Sequence, residues 1–426
     1  MEEIETKLKS IEKCRICGSS KLTSILSLGE QYLASYTPKE NDPKPFVDKA
    51  PLELIRCNRE LDPNACGLVQ LRHSVPPNMM YDRYFYRSGI NQTMTDNLRE
   101  IVQEAMSRIH LDKDNIVVDI GCNDGTLLKN YKEKNLCAVG FDPAKNMYQY
   151  SRESGANIII DYFNAKSFSE HYGDEKAKIV SSIAMFYDLE DPKIFVEDVS
   201  KILHQEGVWV LELSYLPSML LRNAFDTIVH EHLEYYHLSV IEYMLDKFVL
   251  KVADAFLNDV NGGSFRLFIK HKDQPISKEA EKRILALREY EQKMGIDTDK
   301  PYQEFIKRCE SEREKALSFI KSEINKGKKI FAYGASTKGN TLLQYYGIDD
   351  KLIEAVADRN PDKWGRHTIG TNLKIVSEED ARKANPDYFF VLPWHFITEF
   401  KEREKEFITR GGKFIVPLPT FQVIDK

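Results

Sequence analysis

No stretch of this sequence approaches the roughly 18 consecutive apolar residues that a membrane-spanning helix needs, and no long run of lysine and arginine occurs. The first absence predicts no membrane span. The second, with a net charge of −6 and a pI near 6.0, argues against nucleic acid as a main partner. The opening residues MEEIETKLKSIEK alternate acidic and basic side chains without an apolar core, so no export signal is expected and the protein is expected to be cytoplasmic. Internal repeats and low-complexity tracts are also lacking. What remains is a chain of 426 residues, 42% hydrophobic with a mean hydropathy of −0.45, long enough for two or three domains with separate cores. Its seven cysteines are expected to be reduced, which makes the closely spaced ones candidate metal ligands before disulfides.

Residues 1–80 are rich in turns and carry CRICGSS and IRCNRELDPNACGLVQL, the marks of a small module. From residue 81 the YDRYFYRSG stretch leads into a helix on which Met94, Leu98, Ile101, Val102, Ala105 and Ile109 recur at helical spacing. A doubly wound pattern then runs to about residue 255: NIVVDIG, CAVGFDP, IVSSIAM and GVWVLELS as strands, with GTLLKNYKEK, AKNMYQYSRES and PKIFVEDVSKILH as helices between them. Such alternation predicts a parallel sheet covered on both faces. Residues 256–426 open with the strand VNGGSFRLFIK and pass through a helical segment, 277–326. They end in a second α/β unit built on KKIFAYGAS, LIEAVADRNP, DYFFVLPW and GGKFIVPLP. The fold class is therefore α/β, with two Rossmann-like units behind a small N-terminal module.

The strongest local signal is VVDIGCNDG. Gly121 permits a sharp turn after the strand and Gly125 a close backbone approach to a ligand, with Asn123 between them and Asp119 at the strand's end. The spacing is not G-x-G-x-x-G, which disfavours a dinucleotide. Asp142 ends the next strand, where a carboxylate accepts the ribose hydroxyls of an adenosine, and Asp161 follows where an adenine edge would lie. Three such positions in series fit S-adenosylmethionine better than NAD.

The segment FDTIVHEHLEYYHL carries His230 and His232 around Glu231. A helical zinc-protease motif needs histidines four apart; these are two apart, about 200° around a helix, so that chemistry is excluded. In an extended segment both imidazoles would face one cleft, with Glu231 turned away to orient them.

These motifs, together with CGLVQL, YRSG, NGGSFRLFI, AYGASTKGNTLL, ADRNPDKWGR and LPW, resemble the three-domain C-methyltransferases that act on nucleotide-linked keto-deoxysugars. The resemblance spans nearly the whole chain. It implies a zinc-binding N-terminal domain, a central S-adenosylmethionine domain of the class I methyltransferase fold and a C-terminal sugar-nucleotide domain. Cys14, Cys17, Cys57 and Cys66 are then ligands of a closed structural zinc site, although the second pair is eight residues apart rather than two; Cys122, Cys137 and Cys309 stay structural.

Carbon methylation needs a carbanion equivalent, and the resemblance makes His232 the general base that creates it beside a keto group. An imidazole suits this because its ordinary pKa of about 6.5 leaves it largely neutral near pH 7. His230 and Glu231 would assist, and Tyr86, Tyr235 and Tyr236 are candidates for hydrogen bonds to the enolate oxygen. For the sugar nucleotide, Gly334, Lys338 and Asn340 of YGASTKGN stand at a helix start apt for a diphosphate. Ser264 and Arg266 of NGGSFR would add donors, and Asp358 would hold a ribose; Trp394 and His395 would flank the sugar or pack. Two departures from the family pattern, Val229 where a tyrosine precedes HEH and Met185 where a histidine follows the fourth strand, leave room for a different sugar or for an oxygen acceptor. The competing readings are a sugar O-methyltransferase and a non-catalytic sugar-nucleotide-binding protein. A monomer or small homo-oligomer is expected.

Overall fold

The computed structural model describes residues 8–39, 42, 49–81, 86–132 and 134–425; the first seven residues and residues 82–85 of the YDRYFYRSG stretch lie outside that set. Among the described residues no helix is long and apolar enough to cross a membrane.

The central sheet has seven strands, in the order Asn157–Ile159, Cys137–Phe141, Ile116–Ile120, Ala177–Ile183, Leu203–Ser214, Ser264–His271 and Leu250–Asn258. The first five run parallel, and Ser264–His271 is antiparallel to both its neighbours. IVVDI at 116–120 is buried at every position, as a strand covered on both faces must be. The strand at 264–271, expected to open the C-terminal unit, thus lies inside the central sheet. A second difference concerns GTLLKNYKEK, expected to be a full helix. Asp124 Oδ1 accepts hydrogen bonds from the Thr126 amide (3.2 Å) and hydroxyl (2.6 Å), and only a short 3-10 turn, Leu128–Tyr131, follows.

The C-terminal sheet has six strands, in the order Lys374–Ser377, Ala355–Asp358, Ile330–Tyr333, Tyr388–Val391, Lys413–Val416 and Gln422–Ile424, with only the last antiparallel. In both sheets the chain begins near the middle, winds out to one side and returns to the other. The reversal falls between Ile116–Ile120 and Ala177–Ile183 in one, and between Ile330–Tyr333 and Tyr388–Val391 in the other. Crevices open at the carboxyl ends of strands at such reversals, because the flanking connections depart to opposite faces.

Three N-terminal strands, Leu22–Gln31, Ala50–Cys57 and Val69–Leu71, pair antiparallel, and the fourth strand of their sheet, Glu234–Tyr235, comes from the middle of the chain. The helix Lys300–Asn325, started by Asp299 with Pro301 in its first turn, packs against Leu22–Gln31 and against Leu216–Leu221. One apolar core runs from Leu52, Leu54 and Val69 through Phe225 into the C-terminal strands. The three parts are consequently packed as one body, and their facing ends enclose a common space.

Candidate active site

That space is a cavity of about 610 Å³. Its walls come from both reversal points: Asp119, Gly121, Asn123, Asp142, Asp161 and Met185 on the central sheet, and Gly334, Lys338, Asp358 and His395 on the C-terminal one. Ala34, Ser35 and Thr37 of the N-terminal module close a third side.

On the central side Gly121 takes φ +75°, and a Cβ there would sit 3.1 Å from Met185 Cγ. A side chain at 121 would therefore fill the turn. The carboxyl of Asp142 accepts from the amides of Asn123 (2.8 Å to Oδ2) and Ala144 (2.9 Å to Oδ1). Each oxygen keeps a second lone pair for a hydroxyl donor. Asp119 is buried; its Oδ1 accepts the Ser181 hydroxyl at 2.7 Å, and burial pushes its pKa up to about 7. A buried carboxylate so raised is a site in want of a cation. Asn123 acts as a clamp, its Oδ1 accepting from the Ser88 amide (3.1 Å) and its Nδ2 donating to the Tyr86 carbonyl (3.0 Å). Asp161 is exposed at the rim, its Oδ1 accepting the Tyr162 amide at 2.7 Å. These residues could hold a cationic adenosine compound such as S-adenosylmethionine.

The HEH segment is a turn, with the His232 amide bonded to the Val229 carbonyl at 3.0 Å, and not the extended stretch expected. The turn sends the two imidazoles apart. His230 is buried, its Nε2 lies 3.0 Å from the Ala50 carbonyl in the N-terminal module, and desolvation lowers it to about 4. It has no part in the cavity. His232 faces the cavity, with Nδ1 2.8 Å from the Thr227 carbonyl. That carbonyl can only accept, so Nδ1 carries the hydrogen and the lone pair is on Nε2, which has no hydrogen bond to the described residues. Although one side of the ring opens on the cavity, desolvation and the Lys338 ammonium lower His232 to about 3, so it is neutral at physiological pH. Tyr187 packs against the ring with centroids 4.3 Å apart.

The remaining expectations divide. Glu231 is buried beside Ser35, both its oxygens lack a well-aligned partner, and desolvation raises its pKa. Tyr86 stands at the rim, 46% exposed. Tyr235 lies behind His232 with its hydroxyl 3.4 Å from the same Thr227 carbonyl, outside the cavity. Tyr236 is fully buried against Phe186 and cannot reach an enolate. Gly125 does not admit a ligand; its missing Cβ makes room for Ser151 backbone, 3.0 Å from where that atom would be. Ser264 spends its hydroxyl on the Val260 carbonyl at 2.9 Å. Arg266 is locked behind the sheet by Glu212 (2.7 Å), Glu104 (3.0 Å) and Asn97 (2.8 Å). Neither lines the cavity; both lie on the reversed strand of the central sheet. Asn340 is also diverted: its Nδ2 holds the Ala34 carbonyl at 3.2 Å, fixing the N-terminal loop over the cavity.

On the C-terminal side Gly334, at φ +85°, lets Pro393 pack 2.6 Å from where a Cβ would be. Asp358 accepts from the amides of Ala335 and Asn360, each at 2.8 Å. The helix Thr337–Tyr346 starts at the cavity wall, capped by Ser336 Oγ on the Gly339 amide at 3.0 Å. The sequence reading missed Lys363, Arg359 and Arg403 in this wall, and left His395 between flanking the sugar and packing; Arg359 and Lys363 follow the strand Ala355–Asp358, whereas Arg403 ends the helix Ile397–Arg403 and carried no such signal.

Cys14, Cys17, Cys57 and Cys66 come together with all four sulfurs within 4.8 Å of one another. The Cys14–Cys66 and Cys17–Cys57 separations are 3.5 and 3.4 Å, near the edge length of about 3.8 Å of a tetrahedron with zinc–sulfur bonds of about 2.3 Å. The insertion between Cys57 and Cys66 loops out, its Asp62 accepting the Ser19 hydroxyl at 2.7 Å. Four thiolates leave no open coordination position, so this site is structural.

Three family models match in series: "Putative zinc binding domain" over residues 14–81, "Methyltransferase domain" over 86–254 and "C-methyltransferase C-terminal domain" over 259–419. The C-methyltransferase NovU of Streptomyces niveus is 30% identical over 422 residues, 98% of this chain and 98% of NovU. An uncharacterized methyltransferase of Schizosaccharomyces pombe is 26% identical over 117 residues, 26% of this chain and 45% of its own. Among solved structures, an S-adenosylmethionine-dependent methyltransferase from Clostridium acetobutylicum is 14% identical, covering 42% of this chain and 92% of its own at a TM-score of 0.34.

The seven-stranded sheet with its reversed strand and the matching methyltransferase model define an S-adenosylmethionine-dependent methyltransferase of class I fold, carrying a structural zinc site. Within that class the chain belongs to the C-methyltransferase family that includes NovU.

Proposed function

We propose that the protein methylates a carbon beside the carbonyl group of a nucleotide-linked keto-deoxysugar, with His232 as general base. The observation that carries this reading is the fixed tautomer of His232, a residue lining the cavity between both sheet reversals, whose unprotonated Nε2 has no hydrogen bond to the described residues. Asp142 would take the ribose hydroxyls of the cofactor, Asp119 its cationic part and Asp161 its adenine edge. The cofactor supplies an electrophilic methyl group on a sulfonium. The start of the helix Thr337–Tyr346 and Lys363 would take the diphosphate, since free amides at a helix start and a cation together favour phosphate. Asp358 would hold the second ribose.

His232 Nε2 would then accept the proton from the carbon beside the carbonyl, leaving an enolate whose carbon attacks the methyl group. Glu231 supports the turn from the side of Ser35, and Tyr86 shields the mouth. Val229 and Met185, apolar and lining the same cavity as His232, would suit a sugar with few hydroxyls against them.

The test uses a 4-keto-6-deoxy sugar nucleotide in deuterated water. Wild-type protein is expected to exchange the hydrogen beside the carbonyl and to form a new carbon–carbon bond. His232→Asn should lose both by about 10²–10⁴-fold while binding S-adenosylmethionine as before. Methylation without exchange would point to an oxygen acceptor and remove the base from the reading.

A further inference from the structure

The turn Phe225–Thr227 is buried at the meeting of the central and C-terminal units, and three groups facing the cavity depend on it. The Thr227 carbonyl fixes His232 at 2.8 Å. Asp226 Oδ2 accepts the indole N–H of Trp394 at 3.0 Å, which anchors the residue next to His395. The same carboxylate is the counter-charge felt by Lys338, whose ammonium in turn lies within Coulombic reach of both His232 and His395.

Lys338 is held across the interface. It belongs to the first turn of the helix Thr337–Tyr346, and its Nζ donates to the carbonyl of Asn261 at 3.1 Å, on the loop that enters the reversed strand of the central sheet. Among the described residues that is its one hydrogen bond, and none of their carboxylates lies in salt-bridge range. An ammonium has three N–H donors, so two are left without a partner among those residues, and Lys338 and His232 line the same cavity. The outer part of the wall has other cations for a diphosphate, with Lys363 on the Ala335 carbonyl at 2.8 Å and Arg359 near Glu399 at 3.4 Å.

Resting on the reading of a keto-sugar substrate, we propose that the Lys338 ammonium is the donor that stabilises the enolate oxygen, and does not bind the diphosphate. When the C–H bond breaks, the proton goes to His232 Nε2 and its electron pair forms the carbon–carbon double bond. The carbonyl pair moves onto oxygen, where the ammonium meets the new charge. When the carbon bonds to the methyl group that pair returns, the carbonyl reforms and the methyl–sulfur pair stays on sulfur. A fixed cation aimed at charge that develops only during reaction accelerates the step more than it tightens binding.

The experiment follows deuterium exchange and methyl transfer on a 4-keto-6-deoxy sugar nucleotide in wild type, Lys338→Met, Lys338→Arg, Lys363→Met and His232→Asn. Lys338→Met is expected to lose kcat and exchange by about 10²–10³-fold with KM changed by less than about threefold. Lys338→Arg should recover part of both, and Lys363→Met should raise KM with exchange on saturated enzyme retained. Unchanged affinity for S-adenosylmethionine confirms the fold of each variant, and Lys338→Gln replaces the methionine variant where that affinity is lost. Exchange at the wild-type rate in Lys338→Met, or a loss confined to KM, would overturn the assignment. Failure of wild type itself to exchange would instead overturn the keto-sugar reading.

Discussion

His232 and Thr227 are joined by a hydrogen bond of 2.8 Å from the imidazole Nδ1 to a backbone carbonyl. A carbonyl cannot donate, so the contact decides where the ring's hydrogen sits and leaves the lone pair on Nε2, which has no hydrogen bond to the described residues. Loss of ring solvation and the Lys338 charge both oppose protonation.

The first prediction concerns that ring. Its pKa is depressed to about 3 in the folded protein, so it stays neutral above that value, where an ordinary imidazole would charge below about 6.5. Nitrogen-15 NMR of histidine-labelled protein should show a neutral Nδ1–H ring down to about pH 5, assigned by its disappearance in His232→Asn. An imidazolium signal growing in near the ordinary value would contradict the geometry.

Asp119 gives a second expectation, opposite in sign. Its pKa is raised by burial to about 7, so in the empty protein it is largely protonated below that and must ionise to meet a cation. Affinity for S-adenosylmethionine, measured by calorimetry, should therefore fall as the pH drops below about 7, by up to about tenfold per unit. Asp119→Asn should bind more weakly at high pH and show little of this dependence. A pH-independent wild type would sink the pairing.

The zinc site reaches the active site through a chain of contacts. Arg15, between Cys14 and Cys17, donates to the Leu71 carbonyl at 2.7 Å, and its Nε lies 3.6 Å from Glu234. The Leu71 amide in turn bonds the Leu233 carbonyl at 2.8 Å, one residue after His232. Metal analysis should find about one zinc per chain. Removing it with a chelator, or Cys66→Ser, should raise amide hydrogen exchange at residues 69–71 and 233–235 together. Faster exchange confined to the cysteine loops would separate the two.

Arg266 is a stability residue. Its guanidinium neutralises Glu212, both about 97% buried or more, and a lone buried charge is costly. Arg266→Met should lower unfolding free energy by about 3–5 kcal/mol in urea titrations and leave KM for the sugar nucleotide unchanged. A large rise in KM with intact stability would restore Arg266 to the substrate.

The legible part of this protein was written in local signals. Cys14 and Cys17 were marked by their close spacing, Cys57 and Cys66 joined them through the family resemblance, and the order Asp119, Gly121, Asp142, Asp161 was marked by strand ends, because a glycine turn after an apolar strand has few structural solutions. The carboxyl ends of both α/β units could be counted along the chain. They are indeed the two walls of the cavity.

Residues whose role depends on what packs behind them could not be read this way. HEH looked like one extended face; a turn between Val229 and His232 separates the histidines, and only the neighbouring Ala50 and Thr227 carbonyls decide which one enters the cavity. Ser264 and Arg266 looked like donors beside a glycine pair, yet their strand inserts between Leu203–Ser214 and Leu250–Asn258, a long-range pairing that carries no local signature. The sequence alone determined the chemical vocabulary, because turn conformation, capping and metal affinity belong to residue types and short spacings. The tertiary structure decided who faces whom, because cavities, buried ion pairs and imidazole tautomers arise from groups that meet only after the chain has folded.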